Sequence, residues 1–392
     1  MRLSRTETAR NHMSYCSMKK SILIVSIGFT PNVGGVETHL DDLIKKFVNY
    51  QIQTTVLTYQ PLETPVTASW REKRHFVTIY RLPMLRGYFY RFVSSPLLSF
   101  LLLCPLLFIA TPFLLIRMPP MTSVYAQGLV AGLVSVFWGK VLHRKVYVGI
   151  HSIYHFPKAG LFRSVCKFIF LNSDGLLTLS SQSSNELIEL GIPNSKITVF
   201  TYWVDQDHFK LLPDKVTLRR KFHLSPTARY FLFIGRYVKE KGILPLLEAA
   251  KQLPPDIYVI FAGTGPLQSL IDAYARSSHR VINLGKISQN DLPEILNAVD
   301  ALVVPSIHDE GFGRVILEAL SCGVPVVGSK RGGIPEAIDE SVGVLIDVSI
   351  SSLYEALSSH RYTDISRTMI RAYAVEHFSS ENCSTIISAL RL

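Results

Sequence analysis

Short, nearly continuous apolar runs recur along the chain and alternate with stretches of helical period. In the first half they are Ile22–Ile27, Thr54–Tyr59, Phe76–Arg81, Ser123–Ala126, Val146–Ile150, Leu176–Leu179 and Ile197–Phe200. In the second half they are Tyr230–Ile234, Ile257–Phe261, Val281–Leu284, Ala301–Val304, Pro325–Val327 and Val344–Ile346. Strands apolar on both faces and separated by helices belong to parallel sheets covered on either side. Two such series predict an α/β protein of two Rossmann-like domains whose parallel sheets face a central cleft. The pattern breaks between Thr201 and Leu224, around Pro213 and Asp214. The domains are therefore expected at residues 19–205 and 206–378. A last helix, over residues 379–392, is expected to cross back to the first domain.

Size and composition change this picture little. The 392 residues suffice for two domains, and 48% are hydrophobic. Five cysteines lie far apart with no C-x-x-C pair, which argues against a disulfide framework or a zinc site and for a reducing compartment. The first 17 residues are polar and unpatterned. Residues 1–18 therefore read as a disordered leader, with Met18 as the alternative natural start.

Charge changes it more. The net charge of +11 lies wholly in Met1–Asp205, and the remainder is neutral. Between Trp70 and Lys167 there are 13 basic residues and one acid, Glu72. Such a bias points to an anionic partner, with a membrane surface first. Inside this region Phe92–Ile116 runs for 25 residues without a charge. Length alone suits a membrane span, but Pro96, Pro105 and Pro112 oppose a straight one. The strands on either side also belong to one sheet in this reading. A broken helical segment at the membrane surface is expected, as an insertion at residues 92–116; a core helix pair is the plainer alternative. Nucleic acid is not an expected partner, because this run interrupts the basic residues.

Ligands of open parallel sheets bind beyond the carboxyl ends of the strands, so the loops there are where chemistry is expected. After the first strand, Gly34-Gly35 opens a helix and lets a phosphate or sugar approach the backbone. His151 ends another strand, where it can bond a hydroxyl or move a proton. Arg236 and Lys241 follow the first strand of the second domain, and two cations there suit a diphosphate. Gly263-Thr264-Gly265-Pro266 is no dinucleotide fingerprint and is read as a loop near a nucleotide base. Glu310 and Glu318 flank Gly311-Phe312-Gly313 at a helix start. Glutamates accept bonds from sugar hydroxyls, and the new helix offers N–H groups to anions. Asp205-Gln206-Asp207 matches D-x-D but is read as structural, since a metal needs several convergent oxygens.

Taken together, these pieces resemble the retaining glycosyltransferases of family 4, which have the GT-B fold. The matching segments are Gly34-Gly35-Val36-Glu37, His151, Gly235-Arg236 with Lys241-Gly242, Gly263-Thr264-Gly265-Pro266-Leu267 and Glu310-Gly311-Phe312-Gly313 with Glu318-Ala319. Gly323-Val324-Pro325-Val326-Val327 and Gly332-Gly333-Ile334-Pro335-Glu336 also match. The resemblance implies transfer from a nucleotide diphosphate sugar, a co-substrate, with retention of configuration and with neither metal nor cofactor. It implies that Arg236 and Lys241 neutralise the departing diphosphate. Glu310 would hold sugar hydroxyls near the amides of Phe312 and Gly313, Glu318 the ribose, and His151 the donor sugar. Gly34, Gly35, Gly265 and Gly311 would line the donor site. One departure is Tyr202-Trp203, where many members carry Asn-Gly.

The expected enzyme is a hexosyltransferase, peripheral at the cytoplasmic face of a membrane, that builds a lipid-linked glycan, glycolipid or polysaccharide. A soluble enzyme acting on a small sugar or sugar phosphate is the first alternative. A non-catalytic binding protein of the same fold, serving a larger assembly, is the second.

Overall fold

The computed structural model describes residues 20–32, 34–61, 66–84, 96–359, 362 and 365–392. The expected leader at residues 1–18 lies outside these, as do residues 92–95 of the apolar run. The first sheet contains β1 (Ser21–Val25), β2 (Gln53–Tyr59), β3 (Arg71–Arg74), β4 (Val77–Leu82), β5 (Ser123–Gln127), β6 (Val146–Ile150), β7 (Gly175–Thr178) and β8 (Ile197–Val199). The second contains β9 (Arg229–Ile234), β10 (Ile257–Ala262), β11 (Val281–Gly285), β12 (Ala301–Val304), β13 (Val326–Ser329) and β14 (Gly343–Ile346). Every strand expected from the pattern is present, with ends within two residues. β3 is an addition to that pattern. It reads Arg-Glu-Lys-Arg, and its edge position and antiparallel pairing with β4 demand no apolar side chain.

Strand order is β3-β4-β2-β1-β5-β6-β7-β8 in the first sheet and β11-β10-β9-β12-β13-β14 in the second. All other pairs are parallel, with Ile24 opposite both Val56 and Tyr125. Chain direction across each sheet reverses once, between β1 and β5 and between β9 and β12. Helices leaving the two strands at such a switch point go to opposite faces, and a crevice opens beyond their carboxyl ends. The loops after β1, β5, β9 and β12 are therefore the places the topology reserves for a ligand.

The described part of the apolar run lies in one unbroken helix, Pro96–Arg117, and not in the broken segment expected. Leu103, Leu107, Thr111 and Leu115, four residues apart, are buried against the first domain, whose neighbouring helix is Gly128–Val141. Pro112 has no N–H for the carbonyl of Phe108, and the Trp138 indole donates to it instead, at 2.8 Å. At the helix end, Arg144 donates to the carbonyls of Leu115 and Met118, groups without intrahelical partners. Leu97–Arg117 is long and apolar enough to cross a bilayer. However, β4 before it and β5 after it share one sheet, so the helix lies along the domain surface.

A hydrophobic cluster continues through the domain junction, joining Leu40 and Tyr125 to Trp203, Leu317 and Ile370. Trp203 is among the largest fully buried side chains. Asp205 accepts the N–H groups of Asp207 and His208, so the D-x-D triplet caps a turn. The last helix, Cys383–Ala389, packs against β7 of the first domain.

Candidate active site

The second domain supplies a carboxylate clamped in place. Lys241 ends a short 3-10 turn after β9, and its Nζ lies 2.8 Å from Glu310 Oε1. The Ser306 hydroxyl donates to the same oxygen. Burial alone would push the Glu310 carboxyl up, but Lys241 and Ser306 hold it below the ordinary range. The two loops are tied by backbone: Ile307 N–H donates to the Glu240 carbonyl at 2.9 Å. Gly242, at φ +71°, has no room for a Cβ against the Pro305 carbonyl. The Gly332–Gly333 turn closes over the other side, with Gly333 N–H donating to the Glu310 carbonyl. Arg236 is exposed at the same strand end. Gly263–Gly265 stacks on this loop, and Tyr237 N–H donates to the Thr264 carbonyl.

Glu318 follows in the helix Arg314–Ser321, which Gly313 opens at φ +79°. It is only 4% exposed, so neither glutamate is a solvated surface acid. Burial raises its carboxyl to about 7, although Arg314 Nε at 3.3 Å opposes the rise.

The first domain supplies a histidine fixed at both nitrogens. Gln127 Oε1, at the end of β5, lies 2.6 Å from His151 Nε2, and the Tyr202 hydroxyl lies 2.8 Å from Nδ1. A carboxamide oxygen can only accept, so Nε2 carries the proton and Tyr202 donates to Nδ1. Burial lowers His151 to about 4 and keeps the ring neutral at physiological pH. His39, from the helix Gly35–Asn49, lies 5.7 Å away and is fully buried. Neither ring nitrogen of His39 has a partner among the described residues. Tyr202 and Trp203, the departure noted in the sequence, both pack on this ring. Before that helix, Arg81 Nη2 donates to the Thr30 carbonyl and steadies the approach to Gly34–Gly35. Val33 of this loop lies outside the described residues.

The halves touch. A Cβ at Gly311 would fall on the His151 carbonyl oxygen, so only glycine admits this approach. His155 Nε2 lies 2.9 Å from Asp309 Oδ2. Glu336 accepts the backbone N–H of Ser181 at 2.8 Å, where an acid suits the helix Ser181–Glu189. Arg314 reaches Asp42 on the first domain. His151, Arg236, Lys241, Glu310, Glu318, Gly34, Gly35, Gly265, Gly311, Phe312 and Gly313 all lie in the loops or helices that follow strands, and direct contacts bring Lys241 to Glu310 and Gly311 to His151. Sequence reasoning missed Gln127, His39, Arg314, Asp42 and the interdomain role of Glu336. Only Tyr202 carried a signal, as a departure from the family pattern.

Two parallel-sheet domains with this cleft define the GT-B class of glycosyltransferases. Solved structures of that shape include Anabaena HepE in complex with UDP, with a TM-score of 0.75, 21% identity and coverage of 95% of this chain and 99% of that one. Sucrose-phosphate synthase from Thermosynechococcus elongatus gives a TM-score of 0.78 at 19% identity, covering 95% and 98%. The family model "Glycosyltransferase Family 4" matches residues 33–208, and "Glycosyl transferases group 1" matches residues 214–375. Together they take in most of the chain, which belongs to the family 4 glycosyltransferases. Among curated relatives, N-acetyl-alpha-D-glucosaminyl L-malate synthase of Bacillus anthracis is 30% identical over 47% of this chain and 49% of its own length. O-antigen chain mannosyltransferase B of Escherichia coli is 30% identical over 55% of this chain and 60% of its own length. The chain thus spans about half the length of the first of these relatives and less than two thirds of the second.

Proposed function

We propose that the chain transfers a sugar from a nucleotide diphosphate sugar to a lipid-linked, glycolipid or polysaccharide acceptor, with retention and without a metal. The observation that carries this reading is the Lys241–Glu310 pair at the β9/β12 switch point, facing His151 across the cleft. Glu310, held ionised, accepts hydrogen bonds from hydroxyls of the donor sugar. Arg236 and Lys241 meet the charge that grows on the diphosphate as its bond to the sugar breaks, and preset cations act most strongly on developing charge. Neutral His151, whose Nε2 proton is held by Gln127, adds no positive charge beside an electron-poor anomeric carbon. Glu318 accepts from the ribose. A panel of UDP- and GDP-sugars, scored by donor hydrolysis and thermal shift, tests this. At least one donor is expected to stabilise and react, and indifference to all of them would sink the reading.

The acceptor side rests on the first domain's surface. Leu101 (69% exposed), Ile109 (60%), Phe113 (57%) and Ile116 (68%) project from the helix Pro96–Arg117. Phe137, Val141, Phe168 and Leu171 continue the exposed apolar surface onto the neighbouring helices Gly128–Val141 and Leu161–Asn172. Exposed Arg117, Lys140, Lys158 and Lys167 stand among them. An apolar face with a basic rim fits an anionic bilayer at its cytoplasmic side, each cation adding about 1 kcal/mol near the surface. The Escherichia coli relative, named for an O-antigen chain, points to a glycan-building reaction in the same family. Flotation with phosphatidylglycerol vesicles is expected to carry the protein up at low salt and less at high salt. Ile109→Ser/Phe113→Ser should abolish flotation, and Lys140→Glu/Lys167→Glu should weaken it. Salt-insensitive failure to float would point instead to a small soluble acceptor.

A further inference from the structure

Arg314 is the first residue of the helix Arg314–Ser321, yet its side chain leaves the second domain and is only 9% exposed. Its Nη2 pairs with Asp42, 272 positions earlier, on the helix that Gly34 opens in the first domain. Its Nε lies 3.3 Å from Glu318, one turn further along its own helix. Its Nη1 is buried and has no partner among the described residues. We infer that Arg314 is a positioning residue: it couples the contact between the two domains to the orientation of Glu318.

The reasoning rests on the ribose role proposed for Glu318. A carboxylate can accept from both hydroxyls of a vicinal diol, whereas a protonated carboxyl surrenders one acceptor. Burial drives Glu318 towards protonation. The charged and titratable groups facing it are Arg314 and His208, which favour the anion, and Asp42, which opposes it; burial pushes the neighbouring Cys322 thiol up to about 12, so it stays neutral. Arg314 is the nearest of the cations and bonds the carboxyl directly. Its orientation depends on Asp42, which is present only while the domains are together. A guanidinium so held between two acids keeps its planar fork in register, as a lysine point charge would not.

The test is UDP and GDP binding to the full chain by calorimetry between pH 6 and 9. Wild-type affinity should fall as pH drops through about 7, the value of Glu318. In Arg314→Gln the midpoint should rise by about one to three pH units, the usual effect of an adjacent opposite charge. That variant would bind roughly 10-fold or more weakly at pH 7 and regain affinity as the pH rises through its new midpoint. Arg314→Lys should return the midpoint near wild type with only part of the affinity. Asp42→Asn should bind several-fold more weakly, with a midpoint no higher than wild type. Uniform loss across pH in Arg314→Gln, or no loss, would overturn the inference and leave the donor reading intact. A wild-type chain that binds neither nucleotide would overturn both.

Discussion

Lys241→Ala is expected to lower turnover about 100- to 1000-fold, the usual cost of deleting one preset group that meets developing charge. The loss should fall on kcat more than on KM, because the ammonium gains most once the diphosphate begins to leave. The structure adds a second consequence. Lys241 is also the cation that keeps the buried Glu310 ionised. Without it the Glu310 carboxyl rises and takes up a proton, and the fold loses about 1–3 kcal/mol. Lys241 is 29% exposed, so solvent screens part of that coupling. The double variant Lys241→Ala/Glu310→Gln should recover thermal stability but not activity. Steady-state rates and melting curves on the three proteins separate the two effects. A change confined to KM would remove Lys241 from the chemical step.

Glu318→Gln should make the ligand-free protein more stable at pH 8 and no more stable at pH 5. Its carboxyl lies at 4.5 in the ordinary case and at about 7 in the fold. Between these values the folded chain holds a proton that the unfolded chain has released, so stability falls as pH rises through the window. Above pH 7 the ionised carboxylate costs about 3 kcal/mol relative to its unfolded state. A glutamine relieves this cost, and its oxygen can still accept from Arg314. The net gain expected at pH 8 is about 1–3 kcal/mol, with nucleotide affinity lost in exchange. Melting temperatures of both proteins at pH 5 and pH 8 check it. A variant less stable than wild type at both values would show that the Arg314 bond outweighs the burial cost.

The two glutamates flank the same glycines and are the same residue type, yet have opposite environments. Glu310 has a lysine and a hydroxyl on it and is held low. Burial pushes Glu318 high, because its one bonded arginine is shared with a second acid and does not offset that cost. That difference suits distinct tasks, and no periodicity or motif in the chain encodes it.

Much of the framework was legible because it is local. A strand buried on both faces must be apolar at consecutive positions, so β1, β6 and β12 announce themselves. Glycines at Gly242 and Gly313 mark loops whose backbone lies in the left-handed region. Since parallel strands place ligands at their carboxyl ends, the loops carrying His151, Lys241 and Glu310 could be named without coordinates. Local patterns misled only where a distant group changed the local cost. The proline-containing run stays one helix because Trp138, thirty positions away, serves the carbonyl that Pro112 leaves bare. β3 needs no apolar residue because it is an edge strand.

The amino-acid sequence by itself determined the strands, the loops that end them and the cations and acids that the loops carry. Each follows from neighbours in the chain: side-chain period, glycine freedom, helix starts. Tertiary structure alone decided which of those groups share a charge or a proton. Tyr202 and Gln127 choose the tautomer of His151, and Asp42 shares Arg314 with Glu318, across separations that leave no trace in any local pattern. The Arg314–Asp42 pair is set by where the two domains meet, and the energy of a buried charge depends on what lies within a few ångströms in space.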